Sequence, residues 1–111
     1  MAENYERIAE IALDDVDVLK EKGATYGDSW KKRGGIGAFM MLARKWDRIE
    51  NQAAAVGYDI FAAGIIGDDE GILDDIADLR RYLLLVESEI IEKRIGPYVQ
   101  PSTGAPNIKL C

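Results

Sequence analysis

Apolar residues in this chain recur at spacings of three and four in three long stretches, and nowhere do they alternate with the period of two that marks a strand. Tyr5, Ile8, Ala12, Val16 and Leu19 form one series, Phe39, Ala43, Trp46, Ile49 and Ala53 a second, and Ile72, Ile76, Leu79, Leu83, Val86 and Ile90 a third. This is the repeat of an α-helix with one apolar face, so the pattern predicts an all-α fold, a compact bundle of three to four helices with these residues packed inward. Glycines set the boundaries. A first helix is expected from Asn4 to about Lys22, ended by Gly23, and then a Gly-rich connector to Gly35 in which Lys31-Lys32-Arg33 makes a short helical turn. A second helix is expected over about Ile36 to Val56, stopped by Gly57, and a short third over Asp59 to Ile66. After Gly67, with Asp68 or Asp69 as N-cap, a long last helix should run to about Arg94.

From Gly96 onwards the helical pattern ends. Pro97, Pro101, Pro106 and Gly104 favour an extended tail over residues 96–111, beside one helical domain over residues 1–95. Within the tail, Tyr98 and Ile108 are candidates to dock on a neighbouring subunit or to close over a ligand. At 111 residues such a helical unit has limited capacity to bury its own surface, and homo-oligomerisation is the expected remedy.

The net charge is −6, which argues against general binding of duplex nucleic acid, an interaction dominated by Lys and Arg neutralising phosphates. The distribution is uneven. From Lys20 to Arg48 there are eight basic residues against three acids, a local charge of +5, so the rest of the chain carries −11. One cysteine, Cys111, and no histidine leave no residue set for zinc or for Cys-His nucleophilic chemistry. The amino terminus has no basic-then-apolar leader and no apolar run approaches the ~20 residues of a membrane span, so a soluble, unprocessed, cytoplasmic protein is expected.

Chemistry concentrates in two acid pairs at one-turn spacing, Asp47 with Glu50 and Asp75 with Asp78. The 24 residues from Asn51 to Asp74 suffice to turn the chain back, so a hairpin can bring four hard oxygen ligands together for a divalent cation such as Mg²⁺. Helical phase strengthens this expectation, because a stripe through Ile36, Met40 and Ala43 arrives at Asp47, Glu50 and Ala54 and sets these acids at the edge of an apolar line. The plainer alternative is neutralisation by Arg44, Arg48, Arg80 or Arg81 in a structural ion pair.

The run Asp75-Ile76-Ala77-Asp78-Leu79-Arg80-Arg81-Tyr82 resembles the second acidic motif of the MazG-like all-α nucleoside triphosphate pyrophosphohydrolases, with Asp47-Arg48-Ile49-Glu50 where their first acidic pair stands. Together with Tyr26-Gly27-Asp28-Ser29-Trp30 and Arg44-Lys45-Trp46, these blocks are similar to the nucleotide modification associated domain family of phages and bacteria, over about Thr25 to Leu84. The resemblance implies nucleotide handling in a phage or mobile-element setting, in a helical fold that often oligomerises. One departure bears on activity. The pyrophosphohydrolase motif is richer in glutamate, whereas here Arg44, Lys45 and Arg48 crowd the acids, repelling Mg²⁺ but suiting direct contact with phosphate.

Two functions follow as expectations. In the first, a nucleotide is bound and sequestered without turnover, a modified nucleotide or a host defence signal in a phage setting. Lys31, Lys32, Arg33, Arg44, Lys45 and Arg48 would hold phosphates, Tyr26 or Trp30 would stack on a base, and Asp47 or Asp78 would accept from ribose or base, with Tyr82 of the second block beside them. In the second, the chain is a Mg²⁺-dependent pyrophosphohydrolase with Asp47, Glu50, Asp75 and Asp78 as metal ligands and Lys45 or Arg48 stabilising the transition state. A helical adaptor, with the acids ion-paired and the basic patch on an acidic partner, is a third class. On the plainest reading Trp30 and Trp46 are core residues and Lys31 to Arg33 a solvated run.

Overall fold

A computed structural model describes residues 3–66 and 71–95 and is all-helical among them. Helix α1 spans Tyr5–Tyr26, a 3₁₀ turn Ser29–Lys31, α2 Gly34–Ala54, α3 Ile60–Ile66 and α4 Gly71–Ile95. The predicted N-cap at Asp68 or Asp69, the tail with Tyr98 and Ile108, and Cys111 lie outside the described residues. No helix among the described residues is long and apolar enough to cross a membrane.

Asn4 starts α1 by accepting the Arg7 N–H on its side chain at 3.0 Å. Gly23 does not end the helix as expected. Its carbonyl accepts the Gly27 N–H at 2.9 Å, and the chain leaves the helix only at Gly27, whose φ of 62° suits a residue without Cβ. The α2–α3 reversal uses two consecutive left-handed residues, Gly57 and Tyr58, after which the Asp59 carboxylate caps α3 by accepting the N–H groups of Phe61 and Ala62.

Helices α2 and α4 form an antiparallel hairpin. Gln52 and Arg48 meet Asp75, Lys45 meets Asp78, and Lys31 ahead of α2 meets Glu89, so falling numbers on one side pair with rising numbers on the other. Helix α3 closes one end of the hairpin, where Ile49, Ala63 and Ile72 are buried and Val56, Ile76 and Leu79 pack against them. This core is thin, for among the described residues the buried apolar ones are Ala38, Ile49, Ala53, Ala63 and Ile72.

Much of the expected core is on the surface. Tyr5, Ile8 and Val16 of α1, Phe39 and Trp46 of α2, and Leu83 and Ile90 of α4 are exposed. In α2 Ile49 and Ala53 of the expected series are buried and Ala43 is half-buried, but in the first half of the helix Ala38 takes the inward side in place of Phe39, and Trp46 stays exposed. In α1 the buried residue is an acid: Asp15, 1% exposed, receives Arg80 through both Nε and Nη2 and the Nε of Arg81, the latter two at 2.7 Å to Oδ1. Arg81 also reaches the exposed Asp14 at 3.1 Å.

This cluster fastens α1 to the middle of α4, and it sets an expected pH response. Arg80 foremost, with Arg81, holds the Asp15 carboxyl below its ordinary value of 3.8 against the opposing effect of burial. A depressed folded value means that its stabilisation is present above pH 3.8 and is lost as pH falls through the lower folded value. Because Arg80 is about a third exposed and stays hydrated when its partner is removed, Asp15→Ala should cost about 2 kcal/mol at neutral pH, below the range for fully buried pairs. Urea denaturation across pH checks both points: the variant should lose less stability than the parent over the acid limb, and equal midpoints at pH 7 would refute the fastening role.

Candidate functional site

The two acid pairs do not come together. Asp75 and Asp78 face α2, but Asp47 lies two residues before the buried Ile49, about 200° round the helix, and Glu50 is likewise exposed. The apolar line that was expected to be buried at their edge, Ile36, Met40 and Ala43, is on this same outward side, and only Ala43 is half-buried. The reason is visible in the first half of α2, which is apolar on most sides. The helix turns Ala38 and Leu42 rather than Ile36 and Met40 toward the hairpin.

Asp75, 3% exposed, accepts Arg48 Nε and Gln52 Nε2, each at 2.7 Å. Asp78 accepts Lys45 Nζ at 3.0 Å. The neutralising cations are therefore Arg48 and Lys45, while Arg80 and Arg81 serve Asp15. No group of three or more acids, histidines or cysteines is placed to share an ion among the described residues. As arranged, the four acids do not fit a Mg²⁺ site: two are occupied by cations in the hairpin seam, and two lie on the opposite side of α2.

Other predicted residues do converge. Tyr26 at the end of α1, Trp30 on the 3₁₀ turn and Tyr82 on α4 line one open cleft of about 430 Å³, together with Lys22, Asp28 and Ser29. The longer α1 makes this cleft, since continuing past Gly23 sets Lys22 and Tyr26 one turn apart on the same side. Lys22, Asp28 and Ser29 were not anticipated. The i, i+4 relation of Lys22 to Tyr26 was legible in principle but was hidden by ending the helix at Gly23.

Trp30 also lines a second cleft of about 370 Å³ on its other side, a largely apolar one between the start of α2 and the last turns of α4, walled by Ala38, Phe39, Leu42, Val86 and Ile90. The indole thus divides a mixed polar and aromatic cleft from an apolar one. Its turn is held by Lys31, whose Nζ donates to Glu89 Oε1 at 2.8 Å and lies 5.9 Å from the Trp30 ring centroid. Glu89 holds Lys31 protonated to higher pH than usual, and Lys31 lowers the Glu89 carboxyl in turn. Lys31, Lys45 and Arg48 are thereby engaged by acids, whereas Lys32, Arg33 and Arg44 are exposed and make no ion pair with any described residue.

No protein-family model matches the chain, and no curated protein or solved structure matches it either. What the cleft can hold is therefore read from its own chemistry: three aromatic rings, an ammonium, a hydroxyl and a carboxylate around one space.

The seam pairing separates structural acids from solvated ones. Asp75→Ala should lower stability by about 2 kcal/mol, since it leaves Arg48 and Gln52 without their shared acceptor, while Asp47→Ala should change it by less than about 0.5 kcal/mol. Paired thermal melts decide this, and equal losses in the two variants would contradict the assigned faces of α2.

Proposed function

We propose that this protein binds a phosphorylated nucleotide in the cleft formed by Tyr26, Trp30 and Tyr82, and holds it without turnover. The observation that carries the reading is the meeting of three aromatic side chains from three separate elements beside Lys22, in a space of about 430 Å³. Aromatic faces stack on any base, an ammonium suits a phosphate, and Asp28 and Ser29 supply an acceptor and a hydroxyl for the base or ribose edge. Lys32, exposed at the end of the 3₁₀ turn, adds a second cation near Trp30 in sequence.

The resemblance to the nucleotide modification associated domain family adds to this reading, because two of its blocks, Tyr26 to Trp30 and Asp75 to Tyr82, supply the three rings. In a phage setting the guest would be a modified nucleotide or a nucleotide signal of host defence. Retention is favoured over hydrolysis because Asp75 and Asp78 are already neutralised by Arg48 and Lys45. A pyrophosphohydrolase would have to exchange both cations for Mg²⁺ and turn Asp47 and Glu50 inward.

Calorimetric titration with linear nucleoside triphosphates and with cyclic dinucleotides, in EDTA and in Mg²⁺, tests the reading. Binding should persist in EDTA with the ligand recovered intact. Tyr82→Ala should weaken it by about 1–3 kcal/mol, the worth of one stacked base, and Lys22→Ala should weaken it further at low salt than at high salt. Absence of heat with every nucleotide would overturn the proposal, and pyrophosphate release lost in Asp78→Asn would favour the hydrolase instead.

A further inference from the structure

We infer that the outward face of α2 pairs with the same face of a second copy in an antiparallel, two-fold arrangement centred on Met40. The face is a regular stripe. Arg33, the N-cap just ahead of α2, and Ile36, Met40, Ala43 and Asp47 within it follow one another at spacings of three and four, which is the seam geometry of paired helices. It carries large apolar side chains in water: Ile36 is 81% exposed and Met40 51%, flanked by Phe39 at 65% and Trp46 at 53%. With so few buried apolar residues among those described, an exposed seam of this kind marks an interaction surface.

Charge selects the occupant and its direction. Arg33 and Asp47 stand at equal distances on either side of Met40, seven residues or about 10 Å along the axis, and neither makes an ion pair with any described residue. In an antiparallel pair, Arg33 meets the partner's Asp47 and Asp47 meets the partner's Arg33, while Ile36 lies opposite the partner's Arg44 stem and Met40 opposite its own copy. A parallel pair would set Arg33 against the partner's Arg33 and Asp47 against the partner's Asp47. A surface that is complementary to itself only when inverted fits a two-fold axis, the commonest symmetry of soluble dimers. Ala43 is small and lies beside this axis, so the helices have room to approach there.

The seam lies apart from the aromatic cleft, since none of its five residues lines that space. Pairing is therefore separable from nucleotide binding.

The full chain carries the test. Sedimentation equilibrium should show a dimer, with the dissociation constant raised about tenfold or more by Arg33→Glu and by Asp47→Arg and restored toward the parent value in the double charge swap. In a Cys111→Ser background, Met40→Cys should oxidise to a covalent dimer, because the axis brings the two residues 40 together. Thermal melts of each single variant serve as the folding control, the altered side chains being exposed. A monomer at every concentration would overturn the inference, as would a dimer indifferent to both single substitutions or a double swap that fails to recover association.

Discussion

Among the described residues, α1, α2 and the 3₁₀ turn are each fastened to α4 by charge. Asp75 and Asp78 hold α2, Arg80 and Arg81 hold α1 through Asp15, and Glu89 holds the 3₁₀ turn through Lys31. Asp15 and Asp75 are the two that matter most, being 1% and 3% exposed. A buried carboxylate is costly unless its oxygens are satisfied, and each here has at least two donors. Such pairs add little net stability compared with apolar packing, but they penalise any register in which the partner is missing. With a core as thin as this one, direction and register fall to them.

That division of labour explains what the sequence disclosed. Helix number and approximate extent were legible because apolar spacing reports a period directly. The inward face was less so. In α2, Ile36, Ala38, Phe39, Met40, Met41 and Leu42 surround the axis, and only the later residues Ile49 and Ala53 choose a side. A stripe started from Ile36 therefore ran along the exposed face and carried Asp47 and Glu50 with it. Gly23 misled for a related reason: a helix tolerates glycine at a modest cost, and α1 continues where the longer Gly27 turn is available to end it.

Asp15 was the clearest missed signal. It falls four residues from both Ile11 and Leu19, on the apolar side of α1 that Ile8 and Leu19 share, so its helical phase sets it among apolar residues more closely than that of Asp47 does. Its partners Arg80 and Arg81 are adjacent in sequence, about 100° apart on α4, and so converge on one carboxylate from two sides. The acids of the Asp75 block were recognised by pattern, whereas their neutralisation by Lys45 and Arg48 depends on hairpin register, which spacing within one helix does not disclose.

The same fastening shapes the cleft. Trp30 sits on a three-residue turn too short to be stable by itself, between Gly27 and Gly34, both with positive φ. What holds the indole in place is the Lys31–Glu89 pair on one side and the flank of α2 on the other. Glu89 is also shared with Lys93 at 3.3 Å, so its attraction is divided and partly screened by water. Trp30 thus owes its place to one shared ion pair and to packing on α2, while Tyr26 and Tyr82 stand on long helices joined through Asp15. The three rings of the cleft therefore stand on three elements whose relative placement depends on the Asp15 cluster and on the Lys31–Glu89 pair.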